Sequence, residues 1–195
     1  MKQTAKHNII CFETEWQYNE QPKENRFNLS TAPMLNCIKE YHGCSTIYRS
    51  VLTIDNLLHY IEHFRKRTFQ KYDIVVIACH GWNHAISLEG QDGYIDIIDL
   101  ANKSKGFFKD KIVHFSACRT MANEEIARQF KELTGAKLVS GYQLSVDPMK
   151  SCIADMAYLN DLMLLTKVGI ITNKSRSNFR KTYHSLLEEL RFIAV

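Results

Sequence analysis

A thiol and an imidazole are the side chains in this sequence whose types and placement could do chemistry together. Cys118 closes the run Lys111-Ile112-Val113-His114-Phe115-Ser116-Ala117-Cys118. His80 closes the run Tyr72-Asp73-Ile74-Val75-Val76-Ile77-Ala78-Cys79-His80. A thiolate is a nucleophile, and it needs a neighbouring base or cation to form near neutral pH. His80 is of the right type to take the proton from Cys118 and return it to a leaving amine. Gly81 has no side chain, so its backbone can approach a substrate closely. Its N–H, with that of Cys118, would make an oxyanion hole worth on the order of 3–4 kcal/mol.

The elements that must position these residues follow from the hydrophobic pattern. Ile74 to Ala78 and Ile112 to Ala117 are short, nearly continuous apolar runs, the signature of strands covered on both faces. His7 to Phe12 and Cys44 to Leu52 read as two earlier strands, and Ala136 to Leu144 as a later one. Helices are expected between them. The first starts at Ser30 or Thr31 with Pro33 in its first turn, carries Met34, Leu35, Ile38 and Tyr41 at helical spacing, and stops at Gly43. The second starts at Thr53 and carries Leu57, Leu58, Ile61 and Phe64. Further helices are expected over Asp96 to Lys105, from Asn123 to Leu133, and from Pro148 with Ile153, Met156, Leu159, Leu162 and Met163 inward. Ser177 to Phe192 reads as a terminal amphipathic helix and Ile170-Ile171 as a short edge strand. Between His80 and the next helix, Ala85 to Leu88 alternates and Glu89-Gly90-Gln91-Asp92-Gly93 is a turn, so a small hairpin with Tyr94-Ile95 is expected.

Strand and helix alternate, which predicts an α/β fold with a mostly parallel central sheet and helices on both faces, within one domain spanning residues 1–195. Ligands of open α/β sheets bind at the carboxyl ends of strands. His80 and Cys118 each lie just past such an end. On adjacent strands, about 4.8 Å apart, they would form a thiol–imidazole pair. Cys79 alternates to the opposite face and is expected to pack in the core. His84 is expected in the exposed hairpin, and His114 buried or at the far end of the sheet. A zinc site from His80, His84 and Cys118 lacks the spacing of known zinc motifs, so no metal and no cofactor is expected. A flavodoxin-like ligand-binding domain is disfavoured because no glycine-rich phosphate loop follows the first strand.

Bulk composition agrees with a folded protein of 195 residues, 45% hydrophobic and 24% charged. The net charge of +4 is spread, with Arg65-Lys66-Arg67 and Lys174 to Lys181 as its densest groups, and no nucleic-acid-binding motif accompanies it. No signal peptide or membrane-length apolar run is seen, and several of the six cysteines lie in or beside apolar runs; a reducing, cytoplasmic location is expected, with no membrane partner.

Ile77-Ala78-Cys79-His80-Gly81, the hairpin, and Ser116-Ala117-Cys118-Arg119 together resemble the caspase-like cysteine peptidases, in particular the CHAT-type branch. The sequence departs from the caspase signature: Ser116 stands for Gln, Thr120 for Gly, and the His-to-Cys spacing is shorter than the usual ~50 residues. The resemblance spans roughly residues 72–165. It implies the three-layer caspase–haemoglobinase fold, His80 as base, Cys118 as nucleophile and Gly81 as oxyanion donor. It further implies a protein or peptide substrate, control by a regulatory protein partner, a ligand or processing, and a bacterial defence or cell-death role. First-subsite pockets in such peptidases are built from strand ends, which nominates Glu13 and Asp147 as acids that would favour a basic residue before the scissile bond. Asp147 has a competing role as the cap of the helix opened by Pro148. The competing functional reading is a catalytically silent interaction module of the same fold.

Overall fold

The computed structural model describes residues 5–16, 30–90 and 93–195. In chain order the elements are β1 (Ile9–Thr14), α1 (Ala32–His42), β2 (Thr46–Val51), α2 (Ile54–Phe64), β3 (Ile74–Ala78), β4 (His80–Trp82), β5 (Ala85–Ser87), β6 (Ile95–Asp96) and α3 (Ile97–Lys103). There follow β7 (Ile112–Ser116), α4 (Glu124–Thr134), β8 (Leu138–Tyr142), α5 (Pro148–Leu162), α6 (Asn178–Thr182), α7 (His184–Glu189) and β9 (Phe192–Ala194).

The main sheet has the order β2-β1-β3-β7-β8-β9 and is parallel except for β9, which runs antiparallel to β8. Its inner strands are buried on both faces, as their continuous apolar runs require. Alternate residues feed two cores. Ile10, Phe12, Val75, Ile77, Val113, Phe115 and Val139 pack with α2, α3 and α4. Ile9, Cys11, Ile74, Val76, Ile112, Leu138 and Tyr142 pack with α1, α5, α6 and α7. The result is the helix–sheet–helix sandwich expected of alternating strands and helices.

Helix boundaries follow their punctuation. Thr53, Asn123 and Asp147 each accept a first-turn backbone N–H at the heads of α2, α4 and α5. Gly43 and Gly135 take the left-handed conformation that ends α1 and α4, at φ of 69° in each case. At α1, Thr31 makes no side-chain cap; a buried carboxylate from β1 does that work, as described below.

Four expectations are corrected. Tyr41 is exposed, and His42 takes the inward place on α1. Ile153 is exposed on α5, whose buried side is Ser151, Ala154, Asp155, Ala157, Tyr158, Leu159 and Leu162; the helix buries Ser151 and Asp155 while exposing Met149 and Ile153, so apolar spacing alone does not mark its inward face. Ile170-Ile171 lies in a 3₁₀ turn over Val168–Thr172, not in a strand. The expected terminal helix is broken at Tyr183 and ends at Glu189, and Phe192–Ala194 instead completes the sheet as its antiparallel edge.

Beneath the carboxyl ends of β7 and β8 lies a buried polar cluster. His114 Nε2 is 2.8 Å from Asp155 Oδ1, and His114 Nδ1 is 2.9 Å from Ser140 Oγ. Ser140 donates in turn to the Tyr158 hydroxyl at 2.9 Å. Ser116 Oγ donates to Asp155 Oδ2 at 2.5 Å, and the Tyr142 hydroxyl donates to Asp155 Oδ1. Burial, and then the neighbouring Asp155 charge, push the Tyr142 phenol well above its ordinary range, so it stays a donor.

Removing one member of a buried, hydrogen-bonded charged cluster leaves the others unsatisfied. Asp155→Ala is therefore expected to lower unfolding free energy by about 3–5 kcal/mol, read as a shift in urea midpoint. At the other end of the sheet, His7 Nδ1 lies 2.6 Å from Asp73 Oδ2 and Nε2 lies 2.7 Å from the Leu165 carbonyl. Burial disfavours the imidazolium, but these two acceptors outweigh it and the His7 pKa is raised. A raised histidine pKa contributes stability in full below about pH 6.5 and loses it as pH climbs through the higher folded value. Thermal melts at about pH 6 and about pH 9 should show wild type's advantage over His7→Gln shrinking at the higher pH.

Candidate active site

β3 and β7 are neighbours, with Ile77 opposite Phe115 and Ala78 opposite Ser116. The Cys79 N–H donates to the Ser116 carbonyl at 3.4 Å, carrying the pairing one step beyond the strands. His80 and Cys118 therefore leave the sheet at the same carboxyl edge. The tightest evidence of their proximity is Gly81: a Cβ there would lie 2.1 Å from the Cys118 carbonyl oxygen and 2.4 Å from Thr120 Oγ1. The two backbones are in direct contact, and no residue with a side chain fits at position 81 without moving one of them.

His80 opens β4, which turns away from the main sheet into a separate antiparallel sheet of order β4-β5-β6. The expected hairpin thus includes the histidine segment itself, with His80 opposite Ser87 and Gly81 opposite Ile86. The imidazole is exposed. Its Nε2 lies 2.6 Å from Glu89 Oε1, and Trp16 meets the ring edge-on at 4.9 Å between centroids. Glu89 is tied back to the main sheet through its own N–H, which donates to Thr14 Oγ1 at 3.0 Å.

Cys118 is partly buried. The Val146 N–H donates to its sulfur at 3.4 Å, so the loop after β8 forms one wall of the site. The two residues after the cysteine have structural roles here. Arg119 sits at φ 53°, donates its N–H to the Leu144 carbonyl at 3.1 Å, and places its guanidinium 5.0 Å from the Trp82 ring centroid. Thr120 is fully buried and donates to the Cys118 carbonyl at 3.4 Å, which holds the turn after the cysteine.

The two acidic residues nominated for substrate binding have other duties. Glu13 is 1% exposed and accepts hydrogen bonds from Trp16 Nε1, Thr31 N, Thr31 Oγ1, Ser30 Oγ and the Tyr48 hydroxyl. It caps the head of α1 from a strand end, and its lone pairs face inward, so it is not the pocket acid that its strand position suggested. Burial, then the hydrogen bond to Glu13, push the Tyr48 phenol up, which keeps that donor protonated. Asp147 caps α5, accepting the Lys150 N–H at 2.9 Å, while remaining exposed.

Cys79 is buried in the core, and burial pushes its thiol well above the ordinary range. His84 is half-buried, not fully exposed, at φ 71°. His114 is buried and bound to Asp155 as described above. Sequence reading missed Glu89 and Thr14 near His80, and Asp155 beneath Ser116. Glu89 read only as a turn residue. Its position just past the alternating run that pairs back to His80 was the one available signal.

Comparison with solved structures finds a likeness to a secreted C11 cysteine protease from Bacteroides thetaiotaomicron, determined in complex with an irreversible peptide inhibitor. The TM-score is 0.51 and the identity 12%, covering 92% of this chain and 59% of that one. The shared architecture is the caspase-like one, a mostly parallel six-stranded sheet with helices around it. This chain spans less than two thirds of the protease's length. No curated protein matches it. A family model does match, over residues 6–192, and the chain belongs to that family, DUF6642, described as a family of unknown function.

Proposed function

We propose that this protein is a cysteine endopeptidase working through His80 and Cys118. The observation that carries the proposal is the backbone contact between Gly81 and Cys118 at the carboxyl edge of β3 and β7, which brings a base-bearing and a thiol-bearing strand end together. The Cys118 proton passes to His80, and the thiolate attacks the scissile carbonyl carbon. The N–H groups of Gly81 and Cys118 stabilise the resulting oxyanion. Collapse breaks the C–N bond, and His80 returns the proton to the departing amine. Water, deprotonated by His80, then hydrolyses the thioester and restores the thiol.

Of the two acids nominated for the pocket, Glu13 is committed to α1 and Asp147 is exposed one residue beyond Val146. Asp147 favours a basic side chain before the scissile bond. The CHAT-type resemblance extends this reading to a bacterial effector role under the control of a protein partner.

The test is cleavage of a proteome-derived peptide library, read by mass spectrometry. Cys118→Ala and His80→Ala are each expected to lower cleavage by at least about 10³-fold. Undiminished cleavage by Cys118→Ala would overturn the assignment. Gly81→Ala must separate the two strand ends; it is expected to cost about 1–3 kcal/mol of stability and most of the cleavage activity.

A further inference from the structure

We propose that Glu89 is the positioning residue of the dyad: it holds His80 by Nε2 so that Nδ1 is the nitrogen presented to the Cys118 thiol. The inference rests on reading His80 as base and Cys118 as nucleophile. A carboxylate only accepts hydrogen bonds, so an imidazole nitrogen 2.6 Å from Glu89 Oε1 must carry the proton. In the neutral ring the other nitrogen then has its lone pair free. Glu89 thereby selects the tautomer in which Nδ1 is the base.

The arrangement is built to hold. Glu89's side chain is 15% exposed against 55% for His80, so the anchor is the more fixed partner. Its backbone is tied to Thr14 at the carboxyl end of β1, the strand next to β3. Ser87 faces His80 across the β4–β5 pair, and Glu89, two residues beyond the end of β5, reaches the same imidazole. Trp16 closes on the ring edge-on. When the thiol proton moves from Cys118 sulfur to Nδ1, the Nε2 proton stays between ring and carboxylate, and the new imidazolium faces an existing negative charge. This is the role that an acid behind the histidine fills in hydrolase triads.

The test needs no substrate. The full chain is treated with iodoacetamide, and alkylation of the Cys118 peptide is timed by mass spectrometry. At about pH 7, Glu89→Gln and Glu89→Ala are expected to slow Cys118 alkylation about tenfold or more, with Glu89→Asp recovering much of the rate. At about pH 10, where a thiol ionises unaided, all variants should match wild type. Thr14→Val, which frees the Glu89 backbone, should slow alkylation at neutral pH in the same sense and serves if Glu89 variants fold poorly. Wild-type or faster alkylation of Glu89→Gln, with His80→Ala slow, overturns the positioning role and leaves the dyad standing; a faster rate would mean that Glu89 withholds the imidazole. A loss that persists at about pH 10 also overturns it, as a structural effect. If His80→Ala alkylates like wild type at about pH 7, the dyad falls and this proposal with it.

Discussion

The parallel pairing of β3 with β7 is the constraint on which the rest of the molecule depends. Parallel neighbours present their carboxyl ends on one edge, so two short apolar runs far apart in the chain deliver His80 and Cys118 to one place. The pairing is held from both faces by the two cores. Past the last paired residues the strands do not simply splay. Gly81 rests against the Cys118 carbonyl and Thr120, and that contact sets how closely the two ends approach. A side chain at position 81 would act as a wedge between them.

Two buried carboxylates brace this edge from the α1/α5 side. Glu13, at the end of β1, gathers the head of α1, Trp16 and Tyr48. Asp155, from α5, gathers Ser116, His114 and Tyr142, and so joins a helix to β7 and β8 just below the cysteine turn. A buried carboxylate is tolerated only when donors replace its lost hydration, and each of these has several. Their geometry is over-determined as a consequence. The imidazole above them is different: exposed, and secured by one carboxylate and one indole edge.

The fold likeness to a larger secreted cysteine protease places this chain among caspase-like architectures without transferring that protein's chemistry. What argues for chemistry here is local: a half-buried thiol, a backbone contact that no side chain would permit, and an imidazole whose second nitrogen is occupied by an acid. The small β4-β5-β6 sheet matters for this reason. It carries His80 away from the main sheet and returns Glu89 to it.

The sequence by itself determined the layering and the two ends of the site. Short continuous apolar runs bounded by turn residues are the signature of strands covered on both sides, Gly43 and Gly135 supply the left-handed residues that stop helices, and His80-Gly81 and Ala117-Cys118 stand just past strand ends. These signals are local, read within a few neighbouring residues. Tertiary structure alone decided which polar groups meet. Glu13 and Asp147 look alike as strand-end acids, yet one is buried under five donors and the other caps a helix in solvent. Glu89 reaches Thr14 across 75 positions, and Asp155 reaches His114 across 41. Nor could periodicity orient α5 or foresee that Phe192–Ala194 leaves the helical pattern to finish the sheet. Hydrophobic spacing records that a residue is buried, whereas a hydrogen bond between distant carboxylates and donors exists only once the chain has folded them into contact.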